Sequence, residues 1–184
     1  MGIRDLERQK SSTTEHPSSV ASRGYDRYVS APLNHLGADM HGRELYLLEL
    51  RAWEDWPREL DLPSERFCLL VAANARGEAR QAVRIFASDA LAAGCAYVCV
   101  WGPGNELVHD TFDASVNETE YLGGQVVMTT WHEDDSLEQA RTFLMRDALP
   151  SDPWNASCRA SVVAVIANDD WAAEVRRLVP LTAI

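Results

Sequence analysis

From Arg66 onward the chain alternates two hydrophobic patterns. FCLLVAA (67–73), CAYVCVWG (95–102), QVVMTTW (125–131) and SVVAVIAN (161–168) are short, almost unbroken apolar runs. A strand buried on both faces of a parallel sheet needs that composition. Between the runs, apolar residues recur three and four apart. Val83, Phe86, Ala87, Ala90 and Leu91 do so within 77–94, and Val108, Phe112 and Val116 within 106–116. Leu137, Ala140, Leu144 and Ala148 do so within 136–149, and 170–179 closes the series. This spacing gathers side chains on one face of a helix.

The ends of these segments carry matching signals. Gly94 stands where a helix C-terminal cap belongs, and Ser136 with Gln139 forms the capping-box pattern. Pro103-Gly104-Asn105 leads into the second helix. GGQ (123–125) reads as a turn and 150–160 as a loop. Earlier in the chain, ELYLLELRAW (44–53) reads as a strand with a following turn or as a short helix. Tyr46, Leu48 and Leu50 alternating with Leu47 and Glu49 favour a strand, placed at one edge of the sheet.

Strand and helix thus alternate four times, which predicts a mainly parallel sheet with right-handed crossovers. The expected fold is a three-layer α/β sandwich of Rossmann-like or flavodoxin-like type with four to five strands. Residues 1–30 are polar and without apolar period, so they read as a flexible tail. Residues 31–184 read as one α/β domain with its core at 65–179.

Composition narrows the partners. The chain has 184 residues and a formal net charge of −11. Five of its 17 basic and four of its 28 acidic residues lie in 1–30, leaving 12 basic against 24 acidic side chains in the domain. Such a field repels phosphate backbones, so nucleic acid is not expected, while a basic protein or a small ligand is. No apolar run reaches the roughly 20 residues that span a bilayer, and the first residues lack the apolar core of a secretory signal. Four cysteines without a C-x-x-C pair read as buried reduced thiols, and the expected compartment is the cytoplasm. Lys10 is the only lysine, so no lysine-dependent mechanism is expected in the domain.

Open parallel sheets bind ligands beyond the carboxyl ends of their strands. That rule nominates Asn74 after the first run, Trp101, Gly102 and Asn105 after the second, Trp131, His132 and Glu133 after the third, and Asn168 after the fourth. Neither G-x-G-x-x-G nor G-x-x-x-x-G-K-[ST] occurs, and Pro103 removes an N–H from the one glycine-rich turn that follows a strand. No cofactor and no metal site is therefore assigned. Asp134 and Asp135, and Asp169 and Asp170, stand beside helix starts, where carboxylates are favoured by the helix dipole. His132 and Glu133, with Asp169 or Asp170, are the candidate acid–base groups.

The segments AYVCVWGPGNELVHDTFD and VVMTTWHEDDSLEQA resemble a family of uncharacterised bacterial proteins, a domain of unknown function with V-C-V-W-G and T-T-W-H-E-D strand ends. The resemblance covers roughly residues 65–178 and implies an intact bacterial cytosolic domain. It carries no activity. The residues themselves favour a non-catalytic binding or interaction module, of accessory, inhibitor or immunity type, acting through the strand-end edge or the acidic surface. The alternative is a small hydrolase or transferase-like enzyme using His132 and Glu133 with Asp169 or Asp170.

Overall fold

A computed structural model describes residues 33–118 and 126–178. In chain order the elements are β1 (Leu33–Ala38), β2 (Glu44–Leu50), a 3-10 turn (Trp53–Asp55), β3 (Arg66–Ala72), α1 (Arg80–Ala92), β4 (Cys95–Trp101) and α2 (Asn105–Glu118). They continue with β5 (Met128–His132), α3 (Leu137–Arg146), α4 (Asp152–Asn155), β6 (Cys158–Ile166) and α5 (Asp169–Arg177). The predicted tail and the GGQ turn lie outside the described residues.

The strands form one six-stranded sheet in the order β1-β2-β6-β3-β4-β5. All neighbouring pairs are parallel except β1 with β2. From β3 the chain steps outward to β4 and β5, and α1 and α2 pack on one face with Val83, Phe86, Val108 and Phe112. It then returns to β6, and α3 covers the other face with Leu137, Ala140 and Leu144. A fixed crossover hand requires this: reversing direction along the sheet moves the helix to the opposite face. α5 joins α3 on the second face through Ala172 and Val175.

Two strand expectations change. β1 joins the sheet as a sixth strand without an apolar signal, because it is an antiparallel edge strand of half-buried residues. Its register is also broken between His35 and Gly37. β2 is consequently not an edge, since β1 lies on one side of it and β6 on the other. At the opposite edge, β5 is half-exposed, with only His132 buried, so the third apolar run is not a doubly covered strand. The loop at 150–160 contains the single turn of α4 and the first residues of β6.

The helix signals hold. The Ser136 side chain accepts from the Gln139 N–H, and the Gln139 side chain accepts from the Ser136 N–H. Gly94 follows α1 with φ 103°, and a Cβ there would stand 1.9 Å from the Glu65 carbonyl oxygen. Only glycine satisfies both demands. Trp53 and Trp56 anchor the β2–β3 connection by meeting Phe86 edge-on, with ring centroids 5.3 and 5.1 Å apart.

Candidate functional site

The direction of the chain reverses between β3 and β6. After β3 the chain leaves towards α1 on one face, and after β6 it leaves towards α5 on the other. Two adjacent parallel strands whose exits diverge leave an opening at their carboxyl ends. A cleft of about 370 Å³ lies there. It is lined by Arg51, Trp53 and Glu54 after β2, by Asn74 and Glu78 after β3, and by Ile166, Ala167 and Asn168 at the end of β6.

The floor of the cleft is conformationally unusual. Ala167 has φ 53°, the one positive φ at a non-glycine among the described residues. Its N–H donates to the Leu50 carbonyl at 2.8 Å, which fastens the β6 exit to the β2 exit. Non-glycine residues in this region cost about 1–3 kcal/mol and are held only where their surroundings fix them. The next residue, Asn168, caps α5: its Oδ1 accepts from the Trp171 N–H at 3.0 Å. Asp169 and Asp170 are then the first two residues of α5, and neither is its cap.

Asn74 is oriented in the same manner, since its Oδ1 accepts from the Arg76 N–H at 3.1 Å. In both asparagines the amide oxygen is engaged by backbone, which leaves the NH₂ group as the donor for other partners. Arg51 and the two asparagines thus supply hydrogen-bond donors to the cleft lining, and Glu54 and Glu78 supply two carboxylates.

Of the sequence-nominated residues, Asn74 and Asn168 line this cleft. The others gather further along the same edge. Trp101 meets Trp171 edge-on at 4.8 Å, and its Nε1–H donates to the Asp135 carbonyl at 2.7 Å. This aromatic bridge ties the exits of β4, β5 and β6 together. Gly102 has φ 113°, and a Cβ there would meet the Ala73 carbonyl oxygen at 2.2 Å. The WGPGN turn packs directly on 73–76, with the Ala75 N–H donating to the Pro103 carbonyl at 2.7 Å. Its glycines are explained by that close approach. Asn105 is buried as the first residue of α2.

Trp131 and His132 face opposite sides of β5, as strand neighbours must. Trp131 is 53% exposed and lies on the His109 ring, centroids 4.4 Å apart. His109 is enclosed by Trp131, Thr129 and Asp113. His132 turns to the other side, 7% exposed, edge-on to Phe143 at 4.8 Å. Its Nδ1 pairs with Asp135 Oδ2 at 2.7 Å, and its Nε2 has no hydrogen-bond partner among the described residues. Asp135 is thus engaged with His132 while Ser136 does the capping. Glu133 is exposed. β5 and β6 are separated by two strands, roughly 14 Å at the usual spacing, so His132 and Asp169 do not start from adjacent strand ends.

Arg51, Trp53, Glu54, Glu78 and Ala167 were not among the nominated residues. The strand-end rule reaches Arg51–Glu54 once β2 is counted among the parallel strands. Among the described residues no group of three or more His, Cys, Asp or Glu side chains is arranged to hold a metal ion, and no helix is long and apolar enough to cross a membrane.

No curated protein and no solved structure matches the chain. A family model described as Domain of unknown function (DUF7684) matches residues 45–180, which takes in β2 to α5 and every residue of the cleft. The chain therefore belongs to the family of that domain of unknown function.

Proposed function

We propose that this domain is a non-catalytic binding module whose ligand is a small polar molecule taken up in the cleft between the exits of β2, β3 and β6. The observation that carries this reading is the convergence there of Arg51 and two asparagines, each held by a backbone N–H, around the strained Ala167. The sheet is read as doubly wound, and ligands of such sheets bind where the strand exits diverge. The donors suit carboxylate or hydroxyl oxygens, and Glu54 and Glu78 suit an amine or further hydroxyl groups. A zwitterion or a polyol satisfies both.

The catalytic alternative has less support. His132 is buried and held by Asp135, and neither Glu133 nor Asp169 pairs with it. Four free thiols fit a reducing, cytoplasmic setting. A second reading, binding of a basic protein, rests on one observation: exposed Val126, Met128 and Trp131 run along the β5 edge beside Glu133 and Asp134.

The test is isothermal titration and thermal shift with a panel of amino acids and polyols. At least one compound is expected to raise the melting temperature, and Arg51→Ala and Asn74→Ala are expected to abolish that rise without altering the unliganded melting point. A panel-wide absence of binding, with a basic protein captured through Trp131, overturns the cleft reading in favour of the edge.

A further inference from the structure

The amino end of the sheet, opposite the cleft, holds a second cluster that the binding reading does not use. Cys68 on β3 and Cys158, the first residue of β6, face each other with their Sγ atoms 3.8 Å apart. Both are buried. Arg43, at the end of the β1–β2 turn, donates from Nη1 to Cys68 Sγ at 2.8 Å. The guanidinium is fixed by Asp39 Oδ2 at 2.6 Å and by the Leu144 and Ala148 carbonyls at 2.9 and 2.7 Å. A thiol pair in contact beneath an immobilised cation is the arrangement that divides two sulfurs into a nucleophile and a resolving partner.

The division has a direction: Cys158, at the start of its strand, is the less enclosed of the two, 3% exposed against 0% for Cys68. The hydrogen-bonded contact with Cys68 and the Arg43 charge hold the Cys158 thiol below its ordinary range against the opposing effect of burial. The same bond, with burial, raises Cys68. Cys95 and Cys99 lie elsewhere in the sheet, and burial pushes both up, Cys99 to about 12. They are built-in controls: equally enclosed thiols on β4 that receive no hydrogen bond from Arg43 among the described residues.

We infer that Cys68 and Cys158 are a redox site that closes to a reversible disulfide, with a small hydroperoxide as the oxidant. The Cys158 thiolate attacks the peroxide oxygen, a sulfur–oxygen bond forms, the oxygen–oxygen bond breaks, and the departing oxygen leaves as an alcohol or water after taking a proton. Cys68 then attacks the Cys158 sulfenic sulfur, the sulfur–sulfur bond forms, and the hydroxyl leaves as water with the Cys68 proton. Two thiols and one hydroperoxide become one disulfide, one alcohol or water, and one further water. Burial selects a small oxidant over a bulky disulfide. Closure requires the sulfurs to approach by about 1.8 Å, to the ~2.05 Å of a disulfide. The β3–β6 register shifts next to this pair: Cys158 partners Arg66, and the ladder resumes with Ala160 opposite Phe67.

The experiment treats the full chain with hydrogen peroxide, then denatures it, alkylates it and maps its peptides by mass spectrometry. Cys68 and Cys158 are expected to escape alkylation together as one cross-linked peptide pair and to return on reduction with dithiothreitol, while Cys95 and Cys99 stay alkylated throughout. Over-oxidation of Cys158 without a cross-link, or equal loss of all four thiols, overturns the inference. In Cys68→Ser, dimedone is expected to trap a sulfenic acid at Cys158. Faster trapping at Cys68 in Cys158→Ser reverses the assigned roles and overturns the order of steps.

Discussion

On the α1–α2 face of the sheet, the core is apolar and aromatic, and its buried polar side chains, Asn105, Thr111 and Ser115, are uncharged residues of α2. Phe67, Phe86, Phe112, Leu69 and Val83 are fully enclosed, and three T-shaped aromatic contacts centre on Phe86. On the α3–α5 face, apolar residues of the same kind surround Asp39, Arg43, Ser161, His132 and Arg141. The first face gains stability from apolar area removed from water. The second adds charged and polar groups, each of which costs free energy unless it is paired. Arg43 meets that condition, because Asp39, Leu144, Ala148 and Cys68 engage its Nε and both terminal nitrogens. Arg141 does not: its Nε and Nη2 have no hydrogen-bond partner among the described residues, and burial lowers its pKa. The thiol pair lies on this second face, beside Arg43.

The comparison is broken most directly by one large substitution on each face. Phe86→Ala removes the aromatic hub and is expected to cost about 3–5 kcal/mol in urea unfolding. Asp39→Ala leaves the Arg43 charge buried without its counter-ion and is expected to cost a similar ~3–5 kcal/mol. Asp39→Asn separates the causes: if hydrogen bonding alone matters, most of the loss is recovered, and if charge matters, it is not.

Arg141→Met is the sharper test, because its sign is opposite. Removing a buried guanidinium whose Nε and Nη2 lack hydrogen-bond partners among the described residues, while keeping apolar bulk, is expected to raise stability by about 1–3 kcal/mol. A loss in the unfolding midpoint would show that Arg141 has a partner in the folded chain.

The thiols predict a pH dependence. Cys99 titrates at about 12 when folded and near 9.0 in its ordinary state. Its folded pKa is raised, so its contribution is fully present below pH 9 and is lost as pH rises towards 12. In that window the expected slope is about 1.4 kcal/mol per pH unit for one such thiol. Cys99→Ala should flatten the fall of stability between pH 9 and 10.5, read from denaturant midpoints, and an unchanged slope rules out this thiol as its source. The smallest effect belongs to the α3 start. Ser136→Ala removes the N-cap and is expected to cost about 1 kcal/mol, with lower amide protection confined to the first turn of α3.

The candidate site was only partly legible before the fold. Asn74 and Asn168 follow apolar runs of clear strand character, so the strand-end rule found them. Arg51 and Glu54 were missed because β2 looked like an edge, and its neighbour β6 enters the sheet more than 100 residues later. His132 and Asp135 stand three apart in sequence, yet their pairing depends on how the chain turns after β5. Cys68 and Cys158 are 90 residues apart, and no spacing rule joins them.

What the sequence determined by itself is local. Apolar period distinguishes strands from helices, Ser136 and Gln139 start α3, and Gly94 ends the α1 turn, because each depends on neighbours within a few residues. Tertiary structure decided the order of the strands, and with it everything that needs two distant segments side by side. The insertion of β6 between β2 and β3 opens the cleft at one end of the sheet and brings Cys158 to Cys68 at the other. Strand pairing is selected by the summed burial of both faces, a property of the whole sheet that no single segment carries.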